Sequence, residues 1–247
     1  MLKVEIDPGS GFCGGVIRAI SRAEDELSRG GKLYSLGAIV HNEEELSRLS
    51  ARGLVTVSSL AEVPEGASIL IRAHGEPPST YEEAAARHLT VIDCSCPVVL
   101  QLQRRIREAY ARLHEGGRHG QILIFGRVGH AEVLGLLGQV GGDALVVEDA
   151  SMLSAALADG RLSLDEPLEI FSQTTNSLEN ALAAIALFVA ITELEGLVLT
   201  GGSTAGNSSH TNKTGIKGNF NFDGRISAGI QDFSTENGYD LHNFIKI

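Results

Sequence analysis

Six short motifs in this chain each set a ligand-type or titratable side chain at the end of an apolar, strand-like run. They read Gly11-Phe12-Cys13-Gly14-Gly15, Val40-His41-Asn42, Ala73-His74-Gly75, Asp93-Cys94-Ser95-Cys96-Pro97, Gly129-His130-Ala131-Glu132 and Gln173-Thr174-Thr175. Together they offer thiols for a metal or cluster, imidazoles for an anion, and a carboxyl and a hydroxyl for proton transfer. In open α/β sheets, loops at the carboxyl ends of strands carry the chemistry on a rigid scaffold. Motifs repeated in that position point to one shared site.

Cys13 lies in a glycine-rich turn between a strand and a helix, where backbone N–H groups and the helix dipole would stabilise a thiolate. A small buried hydrophobe is the equal alternative. Cys96 has a matching setting, because Pro97 can open the following helix. Cys94 and Cys96 form a C-x-C pair, less diagnostic of zinc than paired C-x-x-C motifs. A packed Cys94 is therefore the stronger reading, and zinc held by Cys94, Cys96 and nearby histidines the weaker.

A lone histidine after a strand is more often structural, but His41, His74 and His130 occupy analogous positions and could orient an anion by donated hydrogen bonds. His88, His114, His119 and His242 fall in helix-end, surface-loop or tail settings and read as structural. Glu132 follows His130 by two residues and could donate a proton if burial or an anionic ligand raised its pKa. Its plainer reading is a helix-start carboxylate favoured by the dipole. Thr174 could relay between Glu132 and a substrate, although Thr174, Thr175 and Asn176 could equally cap a helix. Ser208 and Ser209, in a Gly/Asn-rich loop, could cradle phosphate oxygens with neighbouring backbone N–H groups.

The elements that must position these residues alternate. Apolar runs predict strands over 2–6, 32–36, 54–57, 68–71 and 89–92, interleaved with helices over 16–28, 43–49 and 80–87. A second series follows, with helices near 98–114, from 133 and over 151–158, and strands over 121–125, 144–147 and 168–171. Residues 178–191 predict a helix apolar on nearly every face, and 196–200 a further strand. From 201 to 224 the chain is dominated by Gly, Asn, Ser, Thr and Lys, helical periodicity ends, and the tail is expected to be irregular. The reading is an α/β chain in three parts: a lobe over 1–96, a second over 97–192, and a shortened or irregular third over 193–247.

At 247 residues the chain can bury a sizeable core, and 43% hydrophobic with 21% charged residues is ordinary for a globular protein. A net charge of −11 argues against a sequence-independent nucleic-acid binder. Three cysteines form no disulfide framework and suggest a reducing compartment. The amino terminus lacks the basic and apolar regions of a signal peptide, and the longest apolar run, 181–191, falls well short of the ~20 residues that span a bilayer. A cytoplasmic protein without a membrane partner is expected.

Taken in order, GFCGGVIRAI, GAIVHNEEE, RAHGEPP, DCSCPVV, GHAEVLGLLGQ and FSQTTNS closely resemble the motifs of the 4-hydroxy-3-methylbut-2-enyl diphosphate reductase (LytB/IspH) family. The resemblance covers about the first three quarters of the chain. It implies a trefoil-like arrangement of small α/β lobes around a central site, a 4Fe-4S cluster, and reductive dehydroxylation of an allylic diphosphate to isopentenyl and dimethylallyl diphosphates. This is the last step of the non-mevalonate isoprenoid pathway, with electrons from a ferredoxin or flavodoxin-type donor. Residue by residue, it implies Cys13 and Cys96 as cluster ligands, and His41, His74 and His130 around the diphosphate and substrate hydroxyl. Glu132 matches the proton donor, Thr174 its hydroxyl partner, and Ser208 and Ser209 a later substrate-binding motif. The family's third cluster cysteine has no counterpart, because no cysteine follows Cys96. The resemblance therefore also admits an inactive homologue that binds diphosphate without turnover.

Overall fold

A computed structural model of the chain describes residues 11–174, 198–204 and 240–246. The expected strand over 2–6, the helix over 178–191, Thr175, Asn176, Ser208 and Ser209 lie outside the described residues.

Helix α1 (Gly14–Ser28) leads into strand β1 (Leu33–Leu36), α2 (Glu43–Ala51), β2 (Leu54–Val57), β3 (Ser68–Ile71), α3 (Pro78–Ala86) and β4 (Thr90–Asp93). The four strands form one parallel sheet in the order β2-β1-β3-β4. The longer α4 (Pro97–Leu113) crosses to a second series: β5 (Gln121–Phe125), α5 (Ala131–Gly138), β6 (Leu145–Val147), α6 (Ala150–Ala158) and β7 (Leu168–Ser172). Here β6, β5 and β7 are parallel neighbours. Strands β8 (Val198–Thr204) and β9 (Asp240–Lys246) extend that sheet antiparallel, in the order β6-β5-β7-β9-β8.

The central strands β3 and β5 carry the apolar runs Ile69-Leu70-Ile71 and Ile122-Leu123-Ile124 because helices cover both sheet faces. Along β3, Leu70 packs with Ala19, Ala23, Leu27 and Leu49 of α1 and α2, while its neighbours Ile69 and Ile71 pack on the opposite face with Ala84 of α3. β5 repeats the alternation: Leu123 meets Leu153 and Ala156 of α6, and Ile122 and Ile124 meet α4 and α5. On α4, Val99, Leu102, Ile106, Ala109 and Leu113 recur at helical spacing and are buried, and Pro97 at its first position needs no N–H partner.

The strand expected over 196–200 is described from Val198 on and continues to Thr204, taking in Gly201 and Gly202, which favour strands little on their own. Pairing with β9 along all seven residues supplies what local propensity lacks. Segments expected to be irregular thus contribute β9 and the second half of β8.

Candidate active site

Both sheets place their catalytic-type residues by the same device. After β1 the chain moves to one side for β2 and returns to the other side for β3, so the crevice at the carboxyl ends of β1 and β3 lies where strand order reverses. His41 and His74 follow those two strands. In the second sheet the reversal falls between β5 and β7, and His130 and Thr174 follow those two.

The lobes meet so that these crevices converge. The His41 and His74 ring centroids are 6.2 Å apart, and His74 and His130 meet edge to face at 5.3 Å. The approach depends on missing side chains: a Cβ on Gly138 of α5 would collide with Pro77, ahead of α3. One turn earlier, a Cβ on Gly135 would come within 3.3 Å of Gln103 Nε2, whose amide also lies over Gly75. Gln103 is buried and its Nε2 has no hydrogen-bond partner. The glycine and proline letters of RAHGEPP and GHAEVLGLLGQ therefore serve contact between lobes.

His41 is exposed, while His74 and His130 are half-buried. Burial first, then the Arg72 guanidinium and the two neighbouring rings, pulls the His74 imidazole down to about 4. Burial followed by Arg127, Arg72 and His41 lowers that of His130. At neutral pH His74 is thus an uncharged donor, and the permanent cation beside it is Arg72.

Glu132, in the first turn of α5, is 0% exposed. The Thr174 N–H donates to its Oε1 at 2.7 Å, while Oε2 is buried without a partner. Burial raises its pKa, and the Thr174 backbone and side-chain hydrogen bonds oppose the rise. Such a setting favours the neutral carboxyl over the carboxylate.

Cys13 and Cys96 cap the amino ends of α1 and α4, and neither uses its side chain in a capping hydrogen bond. The two helix starts are adjacent: a Cβ on Gly15 would lie 3.4 Å from Cys96 Sγ, and Arg18 of α1 donates to the Ser95 carbonyl at 2.6 Å. Phe12 beside Cys13, Ile17 one turn into α1 and Leu100 one turn into α4 are exposed apolar side chains. Cys94 points elsewhere. It is 2% exposed in the core with Ala19, Ala23 and Leu70, and burial, then the Asp93 charge, pushes its thiol up to about 11. This is the setting of an inert packed thiol, and among the described residues no group of three or more His, Cys, Asp or Glu side chains could hold a metal ion. Two thiols of the type that ligates iron–sulfur clusters do lie at adjacent helix starts, neither engaged in a capping hydrogen bond, with Gly15 against Cys96.

Two residues with evident positions in the site were not singled out from sequence. Arg72 lies just past the end of β3 and opens the turn that carries His74, its carbonyl accepting from the Gly75 N–H at 3.1 Å, and its guanidinium rests over Gly37 just after β1. Gln173 is 5% exposed and bonds to both the His130 ring and the Arg127 backbone. Its place in the Gln-Thr-Thr motif was the available signal.

Comparison with known proteins follows the same lines. Residues 4–213 match the family model described as LytB protein. The 4-hydroxy-3-methylbut-2-enyl diphosphate reductase of Bacteroides thetaiotaomicron is 48% identical over 180 residues, covering 72% of this chain and 60% of the relative. That of Porphyromonas gingivalis is 46% identical over 181 residues, with the same coverage of 72% and 60%. The chain thus spans about three fifths of the length of these relatives. The Plasmodium falciparum E-1-hydroxy-2-methyl-but-2-enyl-4-diphosphate reductase superposes with a TM-score of 0.66 at 26% identity, covering 74% of this chain and 55% of that one. A second solved structure, the (E)-4-hydroxy-3-methyl-but-2-enyl diphosphate reductase of the non-mevalonate pathway, gives 0.58 at 32% identity, covering 77% and 64%.

Proposed function

This chain belongs to the LytB protein family, and from that premise we propose that it reduces 4-hydroxy-3-methylbut-2-enyl diphosphate to isopentenyl and dimethylallyl diphosphates. The observation that carries the reading is the clustering of three histidine rings, with a buried carboxyl clamped by Thr174 two residues beyond the third ring. His41, His74 and His130 bind the diphosphate, with Arg72 as fixed counter-charge and Ser208 and Ser209 as further donors. Glu132 gives one proton to the departing hydroxyl, which leaves as water, the Thr174 hydroxyl orients that group, and a second proton, drawn from solvent, goes to the allylic carbon once two electrons have been delivered. The buried setting of Glu132 keeps the proton on the carboxyl until substrate arrives. Cys13 and Cys96 would hold a 4Fe-4S cluster, which when bound supplies the two electrons and a Lewis-acidic iron for the substrate oxygen. A ferredoxin or flavodoxin-type protein is the proposed donor, in the cytoplasm; among the described residues no helix is long and apolar enough to cross a membrane.

The test is anaerobic reconstitution of the chain with iron and sulfide, followed by turnover of the substrate with a strong artificial reductant. Product formation supports the reading. No product, with the Bacteroides relative active alongside, overturns it in favour of diphosphate binding without turnover. That second reading is favoured by one observation: no cysteine follows Cys96, and Cys94 is committed to the core.

A further inference from the structure

Gln173 stands just past β7, and its own N–H continues the ladder by donating to the Phe125 carbonyl at 2.9 Å. Its side-chain orientation is fixed at both ends. The Arg127 N–H can only donate, and it reaches Gln173 Oε1 at 3.0 Å, so the amide nitrogen is the end that faces His130 Nδ1, also at 3.0 Å. The Glu132 N–H reaches the same Nδ1 at 3.2 Å. Two donors on one ring nitrogen require that nitrogen to carry a lone pair. The proton of neutral His130 is therefore on Nε2.

The room for this clamp is provided by Gly126. A Cβ there would come within 3.0 Å of both Gln173 Cβ and Oε1, and 2.8 Å of a Val133 methyl. Thr174, the next residue, holds Glu132. One dipeptide after β7 thus fixes both the anion-binding ring and the acid that follow β5.

We infer that Gln173 is a positioning residue that locks His130 as the Nε2–H tautomer, so that the ring presents a donor to the diphosphate. This rests on the reading of the site given above and adds the cause of the ring's polarity. Without the amide, the Glu132 N–H alone would hold Nδ1, and an acceptor in its place would favour a proton there. The charged and titratable groups around the ring are Arg127, Arg72, His41, His74 and Glu132. None of them is an acceptor bonded to Nδ1 among the described residues.

The experiment is nitrogen-detected NMR of the full chain labelled with 15N-histidine, with His130→Gln to assign the ring. The wild-type spectrum is decisive without any variant: an Nε2–H pattern is expected, and an Nδ1–H pattern overturns the inference. Gln173→Glu keeps the acceptor for Arg127 and replaces the donor by a carboxylate. It is expected to move the His130 titration midpoint up by about one pH unit or more and to weaken inorganic diphosphate binding at pH 8 by about tenfold, with Gln173→Asn intermediate. An unchanged midpoint and unchanged affinity in Gln173→Glu would refute the role. Failure of the wild-type chain itself to bind diphosphate would instead count against the reading of the site, and the ring spectrum separates the two.

Discussion

Burial raises the pKa of Glu132, whose Oε2 is buried and unbonded while Oε1 accepts from a backbone N–H. Glu132→Gln keeps an oxygen for the Thr174 N–H but removes the transferable proton. Turnover is expected to fall by about 10² to 10⁴, with inorganic diphosphate affinity, measured by calorimetry, close to wild type. His74 makes a second prediction. Its folded-state midpoint of about 4 leaves it neutral at pH 7, and a bound polyanion favours the imidazolium, so the midpoint must rise on binding. Binding should therefore take up protons through His74. Calorimetry in two buffers of different ionisation enthalpy at pH 6 should show greater uptake in wild type than in His74→Asn. The histidines and Glu132 could be singled out in sequence because each lies in the loop or helix start that follows a strand. Arg72 and Gln173 were harder, because their positions depend on contacts with Gly37, Arg127 and His130 that no local pattern encodes.

Among elements, α5 does two things at once: its first turn carries Glu132, and its glycine face receives the loop that carries His74. Gly138→Ala puts a methyl group into Pro77 and is expected to cost about 1–3 kcal/mol as overpacking, read from the denaturant midpoint. Because that contact seats the loop of His74 against the helix that follows His130, diphosphate affinity should fall in the same variant, while Ser154→Ala on the exposed side of α6 should leave affinity unchanged. Helix and strand positions up to β7 could be read from the chain because parallel strands buried on both faces leave continuous apolar runs, and amphipathic helices leave stripes. The β8–β9 pairing could not. Partner choice there joins residues about forty positions apart, and Gly201 and Gly202 give no strand signal.

At the scale of the whole molecule, the two sheets share one plan, a reversal of strand order with a ligand-type residue after each flanking strand. That plan predicts a division among the cysteines. In chain reconstituted with iron and sulfide, Cys13→Ser and Cys96→Ser should each lower bound iron and the visible charge-transfer absorbance. Cys94→Ala should retain both and lose stability, by about 1 kcal/mol, because its thiol fills the core beside α1.

Of the bonds that anchor Glu132, the one at 2.7 Å belongs to the main chain of Thr174, beside another from its side chain. Inheritance edits side chains and leaves peptide N–H groups in place, proline excepted. Drift at position 174 would erase the hydroxyl's share of the hold on the carboxyl and leave the backbone's share in place. In this fold part of the acid's address is written in the course of the backbone, and the rest in the alphabet of residues.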